Sequence, residues 1–154
     1  MLSRKRADMI DFEILPHTAD IKIRAYGKTK KDLFCNALIG MFQAIRPIVP
    51  ECHIENERVV CASLPECHEV EITASDVESL LVDFLSEALY LSDVYNQAYF
   101  NAIIHECSDR AISATLCGVN VKGFEVVEIK AVTYHELEIK QHNGIWQVDI
   151  VFDI

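Results

Sequence analysis

Apolar and polar residues alternate with period two over residues 21–26. Ile21, Ile23 and Ala25 fall on one side, Lys22, Arg24 and Tyr26 on the other. That pattern predicts a half-buried β-strand. A shorter strand precedes it at 12–15, stopped by Pro16, and His17-Thr18-Ala19-Asp20 forms the turn between them. The same parity sends Asp20 out on the polar face. Gly27 breaks the strand, and Thr29 opens a helix, with Asp32 in the capping-box position. Leu33, Phe34, Ala37, Leu38, Met41, Phe42 and Ile45 keep helical spacing until Pro47. A connection with acidic residues over 51–57 leads to strands near 58–64 and 68–73, turning at Pro65-Glu66. Ser75 and Glu78 then box the start of a second helix, and Val77, Leu80, Leu81, Phe84, Leu85, Ala88 and Leu91 form its buried stripe. Strands follow near 98–106, 110–117, 126–140 and 145–152. In the last, Trp146, Val148, Ile150 and Phe152 share one face, Gln147, Asp149 and Asp153 the other, and Val151 breaks the rule. The expected fold is α+β. It is a single domain over 11–154, with two amphipathic helices packed on a mostly antiparallel or mixed β-sheet.

Composition narrows the function classes. The chain has 154 residues, enough for one full core, and 51% of them are hydrophobic. No apolar run approaches the roughly 20 residues that span a bilayer, so no membrane association is expected. Residues 1–10 are basic without an apolar signal segment, which predicts a flexible terminus rather than an export signal. Without such a signal the six cysteines are expected to be reduced thiols in a cytoplasmic protein, Cys35 as a small core residue. The formal net charge of −10 repels phosphate backbones. Strong direct nucleic-acid binding is therefore not expected, although docking on a basic, nucleic-acid-handling protein is.

Three constellations bear on chemistry. Asp20 ends a turn before one strand; Asp153 and the α-carboxylate of Ile154 end another. If those strand ends meet, three negative charges converge. At about 4–5 Å and an effective dielectric near 20, each pair repels by roughly 3–4 kcal/mol. A fold stable by only about 5–15 kcal/mol needs relief from that. A raised pKa, a lysine or a metal would supply it. An all-oxygen donor set selects a hard divalent cation such as Ca²⁺ or Mg²⁺. The bland alternative is that Asp20 caps a turn and the three never meet. Second, Lys130 lies between β-branched neighbours in a strand ending at His135. It reads as an edge lysine, as the neutraliser of the carboxylates, or as a residue reaching into a partner's active site. Third, Cys52-His53, Cys61 and Cys67-His68 suggest zinc, but their spacings do not match the patterns that let one turn supply two ligands. Phosphate loops, nucleophile elbows and zincin motifs are absent. A hydrolase would have to be built from His17, Asp20 and Asp153.

Three blocks in order carry a family resemblance. The first, from Phe12, holds His17-Thr-Ala-Asp20 and Ala25-Tyr-Gly27-Lys-Thr29. The second is 76–91, Asp-Val-Glu-Ser-Leu-Leu-Val-Asp-Phe-Leu-Ser-Glu-Ala-Leu-Tyr-Leu. The third runs from Ile129-Lys130-Ala-Val-Thr-Tyr-His135 through Gly144-Ile-Trp146 to Phe152-Asp153-Ile154. Together they resemble the archeases over most of the chain. The resemblance implies a small cytosolic, chaperone-like protein cofactor of the GTP- and manganese-dependent RNA ligase that seals exons in tRNA splicing and RNA repair. Such a protein promotes guanylylation of the ligase histidine and multiple turnover, and is not an enzyme itself. The resemblance further implies a metal site at Asp20, Asp153 and Ile154, with Ca²⁺ the first expectation and Mg²⁺ or Mn²⁺ the alternatives. It implicates Lys130 in activating the partner, and we group His17 and His135 of the same motif blocks with it. The chain departs from the family where many members carry an Arg-His pair; it has Val121-Lys-Gly-Phe-Glu125, with Lys122 the available substitute. The Cys-His steps are not a family feature.

Overall fold

The computed structural model describes residues 11–16, 19–126 and 128–154. Twelve elements follow in order: β1 (Phe12–Leu15), β2 (Ile21–Gly27), α1 (Lys30–Ile45), β3 (His53–Glu55), β4 (Arg58–Val60), β5 (Glu66–Thr73), α2 (Val77–Tyr95), β6 (Gln97–Cys107), β7 (Ala111–Asn120), β8 (Ala131–Val132), β9 (Lys140–His142) and β10 (Ile145–Asp153). The α+β class and the two helices stand as expected. The strands, however, divide into two sheets and a separate hairpin. One sheet has the order β1-β2-β10-β8, with β9 also paired to β10. The other is β5-β7-β6, and β3-β4 stands apart. Every pairing within them is antiparallel.

Helix α1 links the sheets by packing on both β2 and β6. Phe34, Phe42, Leu33, Leu38 and Met41 are fully buried along it, facing Ile23, Tyr99 and Ile150 in one continuous core. Phe34 tilts against Phe84 of α2, and the Phe42 ring meets Tyr99 edge-on with centroids 5.5 Å apart. Thr29 caps α1 by accepting from the Asp32 amide at 3.1 Å. The second cap differs from expectation. Asp76, not Ser75, accepts from the Ser79 amide. This hydrogen bond holds the exposed Asp76 carboxyl below its usual range.

The expected long strand over 126–140 does not form. Its ordered pairing is limited to Ala131–Val132 and Lys140–His142. Glu136 takes φ 54°, a left-handed conformation that interrupts extended backbone. This turning segment lies on the outer face of the β10 sheet and bounds a groove with Lys22, Asp149 and Val151. The Thr133 amide and hydroxyl both donate to the Val151 carbonyl, at 3.1 Å. Val151 is consequently buried, which explains its breach of the alternation. Strand β3 also escapes the sequence pattern, because all three of its residues are exposed.

The thiol expectation is corrected as well. Cys52 is bonded to Cys61 and Cys67 to Cys117, leaving Cys35 and Cys107 free. Cys35 is half-buried against the core, and burial pushes its thiol pKa up. Among the described residues no helix is long and apolar enough to cross a membrane.

Candidate functional site

Strand β10 is central, with β2 on one flank and β8 and β9 on the other. Its register against β2 pairs Val148 with Ala25, Ile150 with Ile23 and Phe152 with Ile21. All six lie on the core side except partly exposed Ile21. The outward positions between them pair Gln147 with Tyr26, Asp149 with Arg24 and Val151 with Lys22. One step beyond Ile21 and Phe152 come Asp20 and Asp153. The ladder therefore brings these two carboxylate residues to the same end of neighbouring strands, on the outward side.

The neighbouring rows show how this face treats charge. Arg24 clasps Asp149 through two hydrogen bonds, Nε to Oδ1 at 2.6 Å and Nη2 to Oδ2 at 3.0 Å. That clasp holds the Asp149 carboxyl below its usual range and raises Arg24. Tyr26 donates its hydroxyl to Glu13 at 2.5 Å. Burial, followed by this hydrogen bond, pushes the Tyr26 phenol up. Asp153 has no such match. It is exposed and makes no ion pair among the described residues. Facing like charges destabilise a sheet, whereas an oxygen-only pair at a strand end suits a hard cation. The donor chemistry thus fits the expected Ca²⁺-type ion. Among the described residues no group of three or more His, Cys, Asp and Glu could hold a metal. The expected third ligand is the Ile154 carboxylate, adjoining Asp153.

Lys130 reaches this end from the other flank. Its amide donates to the Asp153 carbonyl at 2.7 Å, next to the Asp153–Ala131 pair. Its side chain makes no ion pair among the described residues. It lines an open groove of about 780 Å³ between α2 and residues 121–132, whose walls include Tyr90, Asp93, Lys122 and Phe124. Lys122, the expected substitute for the missing Arg-His pair, therefore shares a groove with Lys130. His135 lies elsewhere on the outer face. It pairs with Glu136 at 3.8 Å and lines the groove beside Lys22. His17 lies outside the described residues.

The zinc constellation does not assemble. All three of its candidate sulfurs are taken up in disulfides: Cys52 with Cys61, and Cys67 with Cys117. His53 pairs with Glu55 at 3.1 Å. His68 bonds Gln97 at 2.7 Å and stacks on Tyr95. Sequence reasoning missed the network around that histidine. Gln97 Oε1 also accepts from the Tyr99 hydroxyl, while its Nε2 donates to Asn120 at 3.0 Å. With both roles of the Gln97 amide fixed, His68 Nε2 must be the donor. No spacing rule exposes such a set, because its members come from β5, β6 and the end of β7.

Comparison with known proteins gives a consistent picture. Residues 12–154 match the model of the Archease protein family (MTH1598/TM1083). "Protein archease" of Methanosarcina mazei is 39% identical over 151 residues, covering 93% of this chain and 95% of that protein. "Protein archease" of Thermococcus kodakarensis is 31% identical over 156 residues, covering 95% and 100%. The solution structure of Methanobacterium thermoautotrophicum protein 1598 matches with a TM-score of 0.70 at 28% identity, covering 94% of this chain and 99% of that one. A Thermotoga maritima crystal structure, described as an archease and possible chaperone, shares the fold with a TM-score of 0.59 at 19% identity, covering 92% and 96%. Sequence, fold and length agree, and the chain belongs to the archease family.

Proposed function

We propose that this protein is a non-enzymatic activator of a GTP-dependent tRNA-splicing RNA ligase. It docks on the ligase and promotes its guanylylation and turnover. The observation that carries the reading is the β2–β10 register, which ends at Ile21–Phe152 and leaves Asp20 and Asp153 one step beyond it, with the Lys130 amide bonded to the Asp153 carbonyl on the other flank. Asp20, Asp153 and the Ile154 carboxylate would hold one divalent cation, Ca²⁺ first among the candidates. Such an ion supplies charge neutralisation at the strand ends. The chain's own residues do the rest. The β2–β10 register sets the carboxylates, and the backbone bond to Asp153 fixes where Lys130 starts. The Lys130 ammonium, which makes no ion pair among the described residues, remains available to an anionic group of the partner. The net charge of −10 favours encounter with a basic, RNA-holding enzyme.

Single-turnover guanylylation of the cognate ligase, with and without this protein, tests the reading. Wild type is expected to accelerate it. Asp20→Ala, Asp153→Asn and Lys130→Ala, each checked for folding by circular dichroism, are expected to lose on the order of tenfold or more of that acceleration, as when a metal-site residue is removed. Undiminished stimulation by a folded Asp20→Ala protein defeats the metal-site reading. Turnover of nucleotides or phosphoesters by this protein alone, lost in the same variant, would instead establish a stand-alone metal-dependent hydrolase using His17, Asp20 and Asp153.

A further inference from the structure

The cysteines that a zinc site would have used do something else. Cys52 and Cys61 flank the β3–β4 hairpin one step beyond its His53–Val60 pair, and their disulfide closes it. Little else in that hairpin favours its shape. Among the described residues it pairs with no third strand, and β3 is exposed throughout. Its turn places Asn56 and Glu57 at φ 52° and 64°, a tight-turn conformation that favours glycine and disfavours glutamate. Isolated two-stranded hairpins are marginal in water. Three further anchors act on the inner strand, the first being the Arg58 guanidinium 4.1 Å above the Phe12 ring. Val59 is buried with Val49 and Val119 in a small satellite cluster that includes both cysteines. The buried Gln43 amide also bonds the Val59 N–H and C=O, each at 2.9 Å.

The hairpin connects to the strap that leads toward Lys130. The Cys52 amide donates to Val49 O at 3.1 Å. Next to Val49, Ile48 exchanges hydrogen bonds with Gly123 O at 2.8 Å and the Lys122 amide at 3.0 Å. Pro47 bridges to Phe124, and the Glu125 amide donates to Arg46 O at 2.9 Å. Residues 46–61 thus back residues 122–125, which lie in the stretch before Lys130.

We propose that the Cys52–Cys61 disulfide is a thiol-sensitive clasp whose reduction releases the β3–β4 hairpin and loosens the 122–125 strap while the two sheets stay folded. Both cysteines are only half-buried, so a dithiol reaches the bond. One thiolate of the dithiol attacks a sulfur and expels the other as thiolate. The second dithiol sulfur then resolves the mixed disulfide. Two electrons and two protons pass to Cys52 and Cys61, and the dithiol departs as a cyclic disulfide. Cys67–Cys117 provides the contrast. It joins directly opposed residues of β5 and β7, whose unbroken register runs from Glu66–Gly118 to Thr73–Ala111. Its reduction leaves that ladder in place.

Hydrogen exchange of the full chain, read by mass spectrometry before and after dithiothreitol, is the test. A thiol count under denaturing, non-reducing conditions should first find two reactive cysteines, Cys35 and Cys107. On reduction, amide exchange over 53–60 and 122–125 should quicken by about tenfold or more, with β2, β7 and β10 unchanged. Cys52→Ser/Cys61→Ser should show the fast exchange without reductant and gain no more with it. Cys67→Ser/Cys117→Ser should still respond. Four or more reactive thiols in the purified protein overturn the proposal, as does equal exchange before and after reduction, or acceleration spread over the whole domain. The reduction arm needs no variant to fold, and none of these readouts depends on a ligase.

Discussion

Asp153 and Asp149 lie four residues apart on one face of β10, yet the sheet treats them differently. Asp149 meets Arg24, its cross-strand partner; Asp153 lies one step beyond the last β2–β10 pair and makes no ion pair among the described residues. Opposed like charges cost about 0.2–1 kcal/mol in a sheet. Asp153→Asn in a chelator is therefore expected to raise Tm by about 1–3 °C relative to wild type. Added Ca²⁺ should reverse the order if the proposed site binds it, because only the wild type keeps both proposed side-chain ligands. Thermal scans in both conditions check it. At Asp149 the pH dependence has a defined sign. Its folded pKa is depressed by Arg24, so its stabilisation is complete above the ordinary carboxylate range and is lost as pH falls through the lowered value. Asp149→Asn should flatten the acid side of the stability curve below about pH 4, seen as urea midpoints that vary less with pH than those of wild type. The parity of residues 20–26 and 146–153 made Asp20 and Asp153 legible, since alternation assigns faces before any fold is known. Arg24–Asp149 was not legible, because the same alternation says nothing about which strands adjoin.

At the level of elements, glycine and glutamine set the tolerances. A Cβ on Gly118 would stand 1.8 Å from the Ala98 carbonyl, so β6 and β7 close only around a bare Cα. Gly118→Ala should destabilise the domain by about 1–3 kcal/mol, measured as a lower denaturant midpoint at unchanged slope. For the Cys52–Cys61 clasp, closing a loop of about ten residues limits the unfolded chain by roughly 2–3 kcal/mol. The serine double variant should lose stability of that order. Helices and core strands were legible because burial imposes periods of 3.6 and two. Where the chain is exposed, as in β3, or draped over a sheet, as in 133–138, no burial period exists to read. The disulfides escaped for another reason. Cys52–Cys61 depends on a hairpin the pattern did not show, and Cys67–Cys117 on a register spanning 50 residues.

For the whole molecule, a net charge of −10 makes association with a basic partner a long-range electrostatic event. Raising ionic strength from about 0.05 to 0.5 M should slow association with the proposed ligase partner by on the order of tenfold, with a smaller change in dissociation, as stopped-flow mixing would record. The central place of β10 has a kinetic corollary. Arg24 and Asp149 are separated by 125 positions, so a nascent β1–β2 pair must wait for β10 before its open side is covered. Until then that side offers unsatisfied backbone groups to any neighbouring strand. Productive maturation therefore depends on a slow, long-range closure, and chains lacking β10 are expected to aggregate through β2.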